Sequence, residues 1–194
     1  MWDERYSAKE YAYGKQPNDF LVESINKLPK GKVLCLADGE GRNSVYLAEQ
    51  GYQVTSVDAS TAGMQKADQL AKERGVEIKT IVADLANFEI EIGAWDGVVS
   101  IFCHLPPQLR QAVHKKVIAG LKPGGVLILE AYTPRQIELA TGGPKQAEMT
   151  MTLENLKTEL NGLNFSHAIE KNRNVIEGIY HTGCGAVVQL IAYK

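Results

Sequence analysis

From Lys32 to Tyr132, short apolar runs alternate with longer amphipathic ones, and few folds accommodate that rhythm. Lys32–Ala37 (KVLCLA) is a continuous apolar run, as expected of a strand buried on both faces. Asn43–Gln50 reads as a helix ended by Gly51. Tyr52–Val57 (YQVTSV) is rich in β-branched residues and reads as the next strand. Thr61–Arg74 has helical composition and stops at Gly75, Val76–Ala83 reads as a third strand and Gly97–Phe102 (GVVSIF) as a fourth. Pro106 and Pro107 suit the first turn of a helix, where a missing N–H costs nothing. That helix runs to about Leu121, is stopped by Lys122-Pro123-Gly124-Gly125, and a fifth strand follows at Val126–Tyr132. The pattern predicts a doubly wound α/β fold: a mostly parallel sheet with right-handed crossovers and helices on both faces.

The C-terminal third departs from the rhythm. A helix near Leu153–Leu160 precedes Phe165–Arg173 and Gly185–Tyr193 (GAVVQLIAY). The stretch between the last two runs is too short for a helical crossover, so they are expected as an antiparallel pair at one end of a seven-stranded sheet. Trp2–Tyr13 and Asn18–Lys27 read as two short helices joined by Gly14-Lys15-Gln16-Pro17, a flap over the sheet. With no repeat or dividing linker, residues 1–194 are expected to form one domain, 1–28 as flap and 29–194 as Rossmann-like core.

Charge and cysteine usage narrow the function. A formal net charge of −2, with Lys and Arg scattered, argues against a surface dominated by phosphate contacts, so no nucleic-acid partner is expected. No apolar run approaches the roughly 20 residues of a bilayer span, and Met1–Lys15 lacks a secretory apolar stretch. Three widely spaced cysteines, Cys35, Cys103 and Cys184, form neither a disulfide framework nor a zinc pattern, and reduced cytoplasmic thiols are the expectation. Cys35 reads as a small core residue.

The chemistry is concentrated at the strand ends. Leu36-Ala37-Asp38-Gly39-Glu40-Gly41-Arg42-Asn43 ends the first strand and opens a helix, and its two glycines let the backbone pass close beneath a ligand. Asp58 ends the next strand, where a carboxylate can accept hydrogen bonds from both ribose hydroxyls. Together these point to an adenosine-containing ligand. A dinucleotide site asks for a third Gly or Ala where Ser44 stands, which leans away from an NAD(P)-linked oxidoreductase.

Gly41-Arg42-Asn43-Ser44-Val45-Tyr46-Leu47-Ala48, followed by Gly51-Tyr52-Gln53-Val54, resembles the tellurite-resistance type of class I methyltransferase. Trp2-Asp3-Glu4-Arg5-Tyr6 and Tyr13-Gly14-Lys15-Gln16-Pro17-Asn18 resemble the flap of the same broad group, which includes thiopurine-methyltransferase-like enzymes. The resemblance implies S-adenosylmethionine as cofactor. By position, it implies that Ala37, Asp38, Gly39, Gly41 and Arg42 hold the methionine end, Asp58 the ribose, and Ala59, Asp84 and Leu85 the adenine. Tyr13 would close over the donor, or pack with Tyr6 and Tyr11 within the flap. Phe102, Cys103 and His104 would border the sulfonium and the acceptor. The sequence departs from the group at Cys35, where an acid is usual, at Ala37, usually the first glycine, and at Asp38, often Cys or Ala. A donor-binding module without transferase activity is therefore a second alternative.

His104 and His181 are the candidate catalytic bases, each weighed against a structural histidine. Asp84 is weighed against a local turn former, and Arg42 against a solvated residue of its helix. Tyr132 is open to either reading. A thiol, selenide or telluride acceptor needs no strong base, whereas an alcohol or phenol would need one of the two histidines. Asp/Asn-Pro-Pro-aromatic, common in enzymes that methylate base amines, is replaced by Cys103-His104-Leu105-Pro106-Pro107. A small-molecule acceptor, a soft nucleophile slightly favoured, and a monomer are therefore expected.

Overall fold

The structure, a computed structural model, describes residues 2–194. Two short helices, α1 (Trp2–Tyr6) and α2 (Asp19–Ser24), precede β1 (Lys32–Leu36). Then follow α3 (Arg42–Glu49), β2 (Gln53–Asp58), α4 (Thr61–Arg74), β3 (Lys79–Val82), β4 (Trp95–Ile101) and α5 (Pro107–Gly120). The chain ends with β5 (Leu121–Tyr132), α6 (Gln136–Leu139), α7 (Leu153–Glu159), β6 (Asn164–Glu177) and β7 (His181–Tyr193). The seven strands form one sheet in the order β3-β2-β1-β4-β5-β7-β6.

β1 pairs parallel with both β2 and β4, so the order reverses between β1 and β4, where open α/β sheets bind ligands. β7 inserts antiparallel between β5 and β6, which confirms the expected reversal at one end. Successive strand residues face opposite sides. Leu34, Leu36, Leu127 and Leu129 pack with Val113 and Val117 of α5 and Leu156 of α7. Val33, Cys35, Val126 and Ile128 pack on the other face with Phe20, Leu21, Leu47 and Tyr52. Cys35 is thus a core residue, as read from its apolar run.

Three boundaries depart from expectation, each for a tertiary reason. The first flap helix ends at Tyr6 instead of Tyr13, because Ala12 gives its N–H to the Glu40 carboxylate (2.8 Å) and its carbonyl to Ile179 (3.1 Å). β3 starts at Lys79 rather than Val76, since the Val76 N–H returns to the Ala71 carbonyl and completes the turn around Gly75. The last two strands are longer than predicted and meet in a tight hairpin from Glu177 to His181.

Candidate active site

The loop after β1 is the floor of the site. Ala37 adopts a left-handed backbone (φ 48°), and so does Phe102 (φ 52°) at the end of β4. Non-glycine residues rarely adopt that region, and such strain concentrates where function holds it. Ala140, in the loop that roofs the site, is the third among the described residues. A Cβ on Gly39 would lie 2.6 Å from the Tyr6 hydroxyl, and one on Gly41 would lie 2.5 Å from the Ala67 Cβ. Gly41 therefore lets α3 approach α4, and Gly39 lets the flap close over the loop.

Asp58 is buried at the end of β2. Its Oδ2 accepts the Gly39 N–H (2.9 Å) and its Oδ1 the Ser60 N–H (2.8 Å). Burial raises its pKa, and these backbone bonds oppose the shift. The carboxylate is thereby fixed beside the glycine loop with acceptor capacity on both oxygens. Asp38 turns toward β2, accepting the Ser56 hydroxyl (2.8 Å), and burial pushes its pKa up to about 6. Its carboxyl is occupied with Ser56, a correction to its expected service to the donor's ammonium.

Ala59 and Asp84 are exposed at the ends of their strands, while Leu85 is buried in the core. Asp84 Oδ1 accepts the Ala86 N–H (2.8 Å), the local turn that the sequence left open. Arg42 is buried instead of solvated: its Nη2 meets Glu177 Oε2 at 2.7 Å and its Nη1 reaches the Gln16 carbonyl at 3.4 Å. Its guanidinium is committed to the hairpin, so a donor carboxylate would have to compete for it.

The acceptor side is aromatic. Phe102 stacks on Tyr132 (4.5 Å between centroids) and meets His181 edge-on (5.0 Å). Tyr13 lies 4.5 Å from His181, and its hydroxyl accepts from Arg5 (2.7 Å). The two histidines differ. His104 Nδ1 lies 3.0 Å from the Met149 carbonyl, which it reaches as a donor, and Nε2 accepts the Tyr132 N–H at 3.4 Å. Burial holds its pKa down to about 4. With both nitrogens bonded to backbone, His104 is a structural imidazole; this overturns its expected role as base. His181 is buried, and its Nδ1 has no hydrogen-bond partner, Glu177 Oε2 standing 3.7 Å away. Cys103 is buried and its thiol is pushed up to about 12, so it offers no nucleophile.

Sequence reasoning missed a buried polar network beneath the flap. Asn18 donates to Glu130 Oε1 (2.9 Å) and Glu177 Oε1 (2.8 Å), and Gln189 and Arg173 also bond Glu130. Its members come from five separate elements, so no spacing announces it. The open concavities lie elsewhere: one of about 650 Å³ near Tyr52, Ile78 and Trp95, and one of about 280 Å³ between α5 and α7. Tyr6 and Tyr13 roof the strand-end site.

Comparison with known proteins agrees with this geometry. Residues 33–125 match a family described as a methyltransferase domain. Over 134 residues the chain is 30% identical to a glycine/sarcosine N-methyltransferase of Halorhodospira halochloris, covering 66% of this chain and 47% of that one. It is 29% identical to a 2-heptyl-1-hydroxyquinolin-4(1H)-one methyltransferase of Mycobacteroides abscessus, covering 66% and 59%. The chain thus spans about half the length of these curated relatives. A SAM-dependent methyltransferase structure from Methanosarcina mazei superposes with a TM-score of 0.73 at 19% identity, covering 92% of this chain and 98% of that one. The fold is that of the class I methyltransferases.

Proposed function

We propose that this chain is an S-adenosylmethionine-dependent methyltransferase that acts on a small-molecule acceptor by direct in-line transfer. Asp58 carries the reading: a buried carboxylate, oriented by two backbone N–H groups, stands beside a glycine loop at the point where strand order reverses. The matched methyltransferase segment includes Gly39, Gly41, Asp58, Asp84 and Phe102. The residues fit the donor: Gly39 and Gly41 leave a cradle that a Cβ would fill.

Asp58 binds the ribose hydroxyls, Ala59, Asp84 and the Leu85 backbone border the adenine, and the loop from Ala37 to Gly41 lies along the methionine end. Tyr13 covers that end from the flap, and Phe102 borders the transferable methyl. The donor supplies a methyl group on a sulfonium, which is its own leaving group. The protein's task is then to hold two reactants close, aligned and dry. Phe102, Tyr132 and Tyr13 exclude water, and His181 is the remaining candidate base.

A soft sulfur, selenium or tellurium nucleophile is favoured, because with His104 engaged the site holds no strong base. The tellurite-resistance and thiopurine-methyltransferase-like subgroup rests on the motif residues 41–48 and 51–54. We further assign the protein to the cytoplasm as a monomer of one domain, residues 1–194, without a nucleic-acid or membrane partner; no described helix is long and apolar enough to cross a bilayer. An NAD(P)-linked oxidoreductase is the weaker reading, since Ser44 stands where its third small residue belongs. Methyl transfer from labelled donor to thiol, selenol, tellurite, phenol and RNA acceptors tests the assignment. Labelling of a small nucleophile is expected; labelling of RNA alone would overturn it.

A further inference from the structure

Two buried polar atoms of the aromatic cluster lack any partner: the Tyr132 hydroxyl and His181 Nδ1. Tyr132 is fully buried and His181 is 7% exposed, and their rings lie 5.2 Å apart. Buried polar groups are nearly always satisfied, and leaving one unmade costs on the order of 1–3 kcal/mol. Two orphans side by side at the mouth of a donor site point to a ligand that satisfies both.

We propose that Tyr132 and His181 grip the nucleophilic atom of the acceptor between them, and that the acceptor is an aromatic thiol entering as the neutral S–H form. This rests on the methyltransferase reading above. The walls set the shape: Phe102 and Tyr132 are stacked, Tyr13 stands against His181, and the loop at Gly142 and Gly143 closes the side. A Cβ at Gly143 would lie 2.6 Å from the Tyr132 ring, and one at Gly142 2.9 Å from His181, so the space suits a planar ring.

The polar atoms set the chemistry. Burial keeps the Tyr132 phenol protonated, so it donates to a sulfur lone pair. His181 is a neutral imidazole whose basicity burial lowers, able to take a proton from a thiol more readily than from a phenol. In the reaction the S–H proton passes to His181 Nδ1 and its bonding pair stays on the acceptor sulfur. That pair forms the new S–CH3 bond, while the pair of the broken C–S bond stays on the donor's sulfur. The sulfonium's charge reappears as imidazolium beside Glu177. Glu177 is a positioning residue, held in turn by Arg42 and Asn18. The other charged or titratable groups facing His181 are Arg5 and Tyr13 of the flap, His104 and Tyr132.

The test uses the full chain, thiophenol as acceptor, and S-adenosylhomocysteine to read the donor site. Tyr132→Phe is expected to raise KM for thiophenol about 10-fold, the loss of one hydrogen bond, with homocysteine-analogue affinity unchanged. His181→Gln is expected to lower kcat 10–100-fold at pH 6, and much less at pH 8, where the thiol ionises unaided. Calorimetry should show both variants and wild type binding S-adenosylhomocysteine alike. Binding of S-adenosylhomocysteine with no turnover of thiophenol, or with both variants matching wild type at both pH values, would overturn this proposal alone. A wild type that binds no S-adenosylhomocysteine would remove the methyltransferase reading and this proposal with it.

Discussion

At the scale of single residues, burial without a partner and burial with one have opposite consequences. Tyr132→Phe deletes a hydroxyl that nothing satisfies, so it should stabilise the chain by about 1 kcal/mol in urea unfolding while weakening the acceptor site. Asp38 is raised to about 6 from an ordinary 3.8, so its charge costs stability once pH rises through that interval. Asp38→Asn should therefore raise Tm at pH 7–8, with the gain fading as pH falls toward 4. Glu177 and Glu159 have the other sign. Burial would raise both, but Arg42 outweighs it at Glu177, and His114 with Arg110 outweighs it at Glu159, leaving each at about 2. Their contribution is present above about pH 4.5 and is lost as pH falls toward 2, which an acid titration of stability should show. Some of these roles are visible in a sequence and others are not. Asp58 can be placed because a strand end and a glycine turn are local patterns. The fate of His104 cannot, because its partners are the Met149 carbonyl and the Tyr132 amide, distant in sequence.

At the scale of elements, the flap and the β6–β7 hairpin are the parts that periodicity describes least well. The strands of the parallel core follow their apolar runs closely, and α4 matches its predicted span of Thr61–Arg74. The flap's conformation after Tyr6 is instead dictated by Glu40, Ile179 and the buried network. Gly178 is where hairpin and flap touch: with φ 65°, a Cβ there would lie 2.3 Å from the Ala12 carbonyl oxygen and 2.5 Å from the Tyr13 Cα. Gly178→Ala should lift the flap, destabilise the chain by about 1–3 kcal/mol and raise the acceptor's KM; urea titration and kinetics would check both effects. Glu177→Gln leaves Arg42 buried without its counter-charge and should cost about 3–5 kcal/mol.

At the scale of the whole molecule, one sheet carries two kinds of work. Its parallel half, β3-β2-β1-β4-β5, brings Asp58, Gly39 and Phe102 to the edge where strand order reverses, and that arrangement was readable from the alternation of runs and the acid ending β2. Its antiparallel end brings His181 and Glu177 back across the mouth of the site, where only the reversal itself was readable. A donor half defined by local pattern thus meets an acceptor half defined by tertiary contact. The donor half is the more direct test of the account. Calorimetric titration of wild type and Asp58→Ala with S-adenosylhomocysteine, beside NADH, decides it. The account predicts that wild type binds S-adenosylhomocysteine and not NADH, and that the substitution weakens binding about 10–100-fold by removing charge-assisted hydrogen bonds. Binding of NADH instead, or affinity for S-adenosylhomocysteine that is absent or indifferent to Asp58, would contradict it.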